Sequence, residues 1–89
     1  MILVLGYLRI QPGQRDAFLA GSLPAVCAAR KRPGCVDFSV SADPLDENRI
    51  NVSEQWESRR ELMAFRESGP EDDLWSLVAY ADVQEYEVA

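Results

Sequence analysis

The chain contains no histidine. That removes the imidazole general base, the Ser–His–Asp and Cys–His nucleophile pairs, and the imidazole haem ligand. Its two cysteines, Cys27 and Cys35, are too few to close a structural zinc site. In a reducing compartment they read as small buried hydrophobes rather than a disulfide. Basic residues are also scarce. Nine Lys and Arg stand against fifteen Asp and Glu, a net charge of −6, and the longest basic run is Arg30-Lys31-Arg32. Such a balance repels phosphate backbones and argues against a nucleic-acid partner. No apolar run is long enough to span a bilayer. The opening stretch, Met1 to Leu5, has no basic region before it, and Gly6-Tyr7-Leu8-Arg9 does not resemble a cleavage site. The expectation is a cytoplasmic protein with no membrane partner.

What is present is enough for one small domain, residues 1–89. A chain of 89 residues buries only about 60–65% of its unfolded surface, so its core is thin. Domains of this size often gain stability by oligomerising. There is no internal repeat, linker or low-complexity segment.

The pattern of elements is legible. Residues 2–10 form a strand apolar on both parities, as expected of one covered on both faces. Gln11-Pro12-Gly13-Gln14 is a turn. Residues 15–32 read as a helix with Leu19, Leu23, Val26 and Cys27 on its inner stripe. Pro24 is expected to kink or divide it, with Ser22 capping the restart. Pro33-Gly34 stops it. Residues 35–42 form a second strand, with Val36, Phe38, Val40 and Ala42 on a dry face. A polar connector, 43–48, leads into a third strand, 49–57. Ser58-x-x-Glu61 is a capping box for a helix running to about Ser68, with Leu62 and Phe65 inward. Gly69-Pro70 breaks it. A third helix is expected over 71–81 on the stripe Leu74, Leu77, Val78 and Ala81, then a last strand over 83–88. The order β-α-β-β-α(α)-β is the ferredoxin-like, split β-α-β arrangement. It is an α+β fold: a four-stranded antiparallel sheet with helices on one face. The bare face is apolar enough to call for a second copy packed sheet to sheet.

The third strand carries the chemistry. Ile50, Val52, Glu54 and Trp56 share one side, and Arg49, Asn51, Ser53, Gln55 and Glu57 the other. Glu54 thus falls where a carboxylate is costly unless it is paired or faces a wet cavity. It is either an ion-pair partner of an arginine such as Arg9 or a desolvated acid able to act as a base. Trp56 is a core anchor, a cavity wall, or both.

Four segments together resemble the antibiotic biosynthesis monooxygenase family. They are Gly6-Tyr7-Leu8-Arg9-Ile10-x-Pro12-Gly13-x-Arg15-Asp16-x-Phe18, Arg32-Pro33-Gly34-Cys35, Asp43-Pro44-x-Asp46-x-Asn48-Arg49 and Ser53-Glu54-Gln55-Trp56-Glu57-Ser58. The resemblance covers residues 1 to about 68. It implies a homodimeric α+β barrel with a ligand cavity between sheet and helices in each subunit. It further implies oxidation of a small aromatic, polyketide-like substrate by O₂ with no cofactor and no metal. The alternatives within the same architecture are an isomerase or cyclase, and a non-catalytic ligand-binding dimer. The expected catalytic residues are Trp56, Glu54 and Tyr7. The expected substrate-binding residues are Phe65, Phe38, Trp75, Tyr80 and Arg66. Members of the family commonly carry a histidine on the helix after the Glu-x-Trp strand, and the haem-degrading members use one to bind iron. At that spacing this chain has Phe65, so a haem role is not expected.

Overall fold

The structure, a computed structural model, describes residues 1–67 and 72–89. Its elements are β1 (Ile2–Ile10), α1 (Arg15–Arg30), β2 (Cys35–Ala42), β3 (Arg49–Trp56), α2 (Arg59–Glu67), a 3₁₀ segment (Asp72–Leu77) and β4 (Val78–Glu87). The strands form one antiparallel sheet in the order β2-β3-β1-β4. Strands β1 and β2 are thus parallel, with β3 inserted between them, which is the expected ferredoxin-like α+β topology. Among the described residues no helix is long and apolar enough to cross a membrane.

Register fixes which side chains meet. Val4 of β1 sits opposite Glu54 on one neighbour and Glu85 on the other. Directly paired residues share a sheet face. Ile2, Val4, Leu8, Ile10, Ile50 and Trp56 therefore point to the helix side, and all are nearly or fully buried. Two clusters form beneath the helices, one around Trp56, Phe38 and Leu62 and the other around Leu8, Ile10, Phe18 and Ile50. Gly6 permits the close approach of β1 to β4. A Cβ there would run into the Asp82 carbonyl oxygen and lie 2.7 Å from Val83 Cα.

Helix α1 is continuous across Pro24; of the kink or division expected there, the division does not occur. Ser22 does not cap a restart; its hydroxyl donates to the Leu19 carbonyl at 2.8 Å within the same helix. The buried stripe is Phe18, Ser22 and Ala29, rotated from the expected one. Leu23 is 60% exposed and Cys27 is exposed too, while Cys35 is half-buried. The helix also ends two residues early. The Lys31 and Arg32 amides bond back to Ala28 and Ala29 in a turn. Gly34 follows at φ +85, where a Cβ would stand 2.7 Å from Glu61 Cβ.

In β2 the register slips between Cys35 and Asp37. This bulge turns Val36 outward, 50% exposed, so the dry face is Cys35, Phe38 and Val40 instead of the unbroken alternation. Ala42 is exposed as well. The 43–48 connector is held by Asp43, whose carboxylate accepts from the Leu45 and Asp46 amides and from Asn51 Nδ2. Arg15 ties the start of α1 to this loop by donating to the Asp43 and Asp46 carbonyls. Ser58 caps α2 as expected, accepting from the Glu61 amide at 3.3 Å.

The largest departure is at the end of the chain. The expected helix over 71–81 is a 3₁₀ segment that gives way to β4 at Val78. Val78 and Ala81 pair with Ile10 and Leu8 of β1. The amides and carbonyls of β1 need partners along its full length, and β4 supplies them. The expected breaker Gly69-Pro70 and the helix start at Glu71 lie outside the described residues, as does Ser68.

Candidate functional site

Between the sheet and the helices lies a cavity of about 510 Å³, within the usual range for small-molecule sites. Its floor is the inner face of the sheet: Val4, Leu8, Phe38, Val40, Val52 and Val83. Its roof comes from α1 (Phe18, Ser22, Ala25, Val26), α2 (Phe65, Arg66) and the 3₁₀ segment (Leu74, Trp75). The walls are mostly apolar. Among the described residues, three charged side chains interrupt them: Glu54, Arg66 and Glu85.

Glu54 is placed by alternation in β3, on the same face as Ile50, Val52 and Trp56. Its partner is not Arg9. That guanidinium bonds Asp46 at 2.7 Å, on the other face and nearer the far end of the sheet. Glu54 Oε1 instead accepts from Trp56 Nε1 at 3.0 Å. Burial holds the Glu54 carboxyl above the usual carboxylate range, against the opposing pull of the indole N–H and of Arg66, while Glu85 pushes it further up.

Glu85 has the opposite setting. Its two oxygens accept from Arg66 Nη1 at 2.7 Å and Arg59 Nη1 at 2.8 Å, and these bonds hold it below the ordinary carboxylate range. The two acids flank Val4 on one row of the sheet. One favours its proton and the other gives it up readily. Pairs of titratable groups driven apart in this way are a feature of acid–base sites.

Trp56 is fully buried and does not line the cavity. It acts from behind. Its ring lies 5.3 Å from that of Phe65, which meets Phe38 edge-on at 5.5 Å. Phe65 and Phe38 both reach the cavity wall. Trp75 stands at the rim, 57% exposed. Arg66 lines the cavity and bonds Glu85. Tyr7 and Tyr80 are elsewhere. They share the outer sheet face, ring centroids 6.4 Å apart, with Arg49 Cζ 4.1 Å above the Tyr7 ring.

Sequence reasoning missed Glu85, Arg59 and Ser22. For Glu85 a signal existed, because it stands two residues after Val83 and so on the same strand face. The cavity wall does not suit haem. Among the described residues lining it there is no histidine, cysteine, tyrosine or methionine to ligate iron.

Comparison with known proteins places this geometry. In sequence, 61 residues are 30% identical to an uncharacterized protein of Synechocystis sp.; they make up 68% of this chain and 42% of that relative. The chain therefore spans less than half the length of the curated relative it matches. In structure, it superposes on a Nitrosomonas europaea protein described as an antibiotic biosynthesis monooxygenase, with a TM-score of 0.83, 15% identity and coverage of 99% of this chain and 98% of the other. A Chloroflexus aurantiacus protein described in the same terms gives 0.73 at 26% identity, covering 99% and 92%. A haem-degrading protein of Mycobacterium tuberculosis, solved with two haems in its active site, gives 0.70 at 18%, covering 99% and 95%. The sequence profile of the antibiotic biosynthesis monooxygenases matches residues 1–85, and the chain belongs to that family.

Proposed function

We propose that the protein is a cofactor-independent monooxygenase acting on a small aromatic, polyketide-like substrate. The observation that carries this reading is the apolar cavity with a desolvated carboxylate, Glu54, oriented by the Trp56 N–H at 3.0 Å. Glu54 takes a proton from an activated methylene or phenol of the substrate. The electron-rich anion reduces O₂, and recombination gives a hydroperoxide at carbon. Loss of a second proton and of water leaves a carbonyl. A CH₂ group and O₂ thus become C=O and H₂O, with no external reductant. The apolar walls exclude water from the anion, and Arg66 balances its charge.

The test is O₂ uptake with anthrone. The expected result is one O₂ consumed per anthraquinone formed, well above the enzyme-free rate. Conversion of the ligand without O₂ uptake would move the assignment to an isomerase or cyclase. Binding with no conversion would leave a carrier.

The same reading takes the working unit to be a homodimer. The outer sheet face carries Leu3, Leu5, Tyr7, Tyr80 and Tyr86, of which Tyr80 and Tyr86 are about half exposed. A second copy laid on this face covers it. Light scattering is expected to give twice the 10.0 kDa chain mass; a monomer mass at micromolar concentration rules this out.

A further inference from the structure

We propose that the cavity takes its ligand as a planar aromatic monoanion, with the negative charge seated on Arg66 and the matching proton held by Glu54. The proposal rests on the reading above only in placing an aromatic ligand in the cavity.

The polar end of the cavity has an uneven charge balance. Arg59 and Arg66 converge on one carboxylate, Glu85. Among the described residues, two guanidinium cations against one carboxylate leave one positive charge unmatched whenever Glu54 carries its proton. When Glu54 is ionised the cluster is neutral. Arg66 faces Glu54 from α2 and Glu85 from β4, and Cys35 lies near enough on β2 for its thiol to feel the Glu54 charge. Among the described lining residues, those of α1, β1 and the 3₁₀ segment bring no ionisable side chain.

Geometry points the same way. Glu85 engages Arg66 through Nη1, and a guanidinium has further N–H donors in a fixed fork. Arg66 itself lines the cavity. Trp56 occupies Oε1 of Glu54, which leaves Oε2 to carry the proton. A protonated Oε2 is a donor, so it too can bond an anion. The flat shape follows from the walls, where Phe18 and Phe65 stand over a sheet floor of Phe38 and valines. The net charge of −6 opposes anions at long range, but salt screens that term beyond about 8–10 Å, while the contact with Arg66 survives.

Binding of an anion and of the Glu54 proton are therefore linked. Affinity for the anion is highest where Glu54 is protonated. It falls as pH rises through the raised Glu54 value. Affinity for a neutral ligand of the same shape stays flat.

The test is titration calorimetry with two probes of matched rings, 8-anilinonaphthalene-1-sulfonate and its uncharged parent N-phenyl-1-naphthylamine. At mildly acid pH the sulfonate is expected to bind about tenfold or more tightly than the parent, and this margin shrinks toward alkaline pH. Arg66→Met removes the margin but leaves the parent's affinity, which also reports that the cavity is intact. Arg66→Lys keeps most of it. Glu54→Gln keeps the margin and abolishes its pH dependence. Equal affinities for the two probes, or a margin indifferent to Arg66→Met, overturn the proposal. Because this is binding alone, it separates cleanly from the enzymatic reading. Anthrone turnover without a sulfonate preference sinks only the anion site, and a preference without O₂ uptake sinks only the oxygenase.

Discussion

If the protein is the proposed oxygenase, Glu54→Gln is expected to lower kcat/KM for anthrone oxidation by about 10²–10⁴-fold and to leave the protein as stable as before, or more so. The carboxamide has the shape of the carboxyl and can still accept from Trp56 Nε1, but it cannot take up a proton. The stability half of the result follows from the direction of the Glu54 shift. Its folded-state proton affinity is raised by burial. A raised carboxyl is at its most favourable below the ordinary glutamate value, where both states hold the proton. Its contribution falls as pH rises from there through the folded-state value, because only the folded chain resists ionisation. Glutamine has no such loss. Thermal unfolding followed by circular dichroism across pH should therefore show the variant pulling ahead of the parent through that window and matching it in acid. Glu85, Asp43 and Asp46 are held low, so their contributions are lost in acid, but they are common to both proteins and cancel in the difference. An unchanged rate in Glu54→Gln removes the carboxylate from the chemistry.

Two substitutions at Trp56 separate its packing from its hydrogen bond. Trp56→Ala empties the centre of a core that is small to begin with, at a cost of about 3–5 kcal/mol. Domains typically hold only about 5–15 kcal/mol in total, so this variant is expected to lose most of its stability in urea unfolding. Trp56→Phe keeps a ring against Phe65 and should cost only about 1–2 kcal/mol. It deletes the N–H that steadies the ionised form of Glu54. The pH–rate profile should then shift toward higher pH, with a smaller loss of turnover than in Glu54→Gln. A profile that does not move would make Trp56 an anchor alone.

The β3 strand was legible because its alternation is strict and its phase is unbroken. Period 2 placed Glu54 and Trp56 on one face, and they touch. The same rule separates Tyr7 from Ile2 and Val4, and so puts it on the outer face of the sheet. Other features rest on non-local facts that no spacing encodes. The stripe Leu74, Leu77, Val78 and Ala81 satisfies the helical period, yet Val78 and Ala81 belong to a strand because β1 needs a second neighbour. The bulge at Val36 reverses a phase that reads as continuous. Glu85 gains its meaning from Arg59 and Arg66 on a different element, and only the register of β4 against β1 brings them together.

The position of β1 in the sheet also governs how the chain reaches its fold. Hairpin β2–β3 closes over a short connector and can form early. Of the four strands β1 is made before the others, yet its partner β4 is made after them, and Ile2 is matched with Glu87. During synthesis a very apolar strand, Ile2-Leu3-Val4-Leu5, must wait with at least one open edge until nearly the whole domain has emerged. Long-range pairing of this kind slows folding relative to helical domains of equal size, and an unpaired apolar edge invites association with other chains. The strand that anchors the finished sheet is thus the most vulnerable segment before the sheet is complete, and early pairing with β3 is what shortens its exposure.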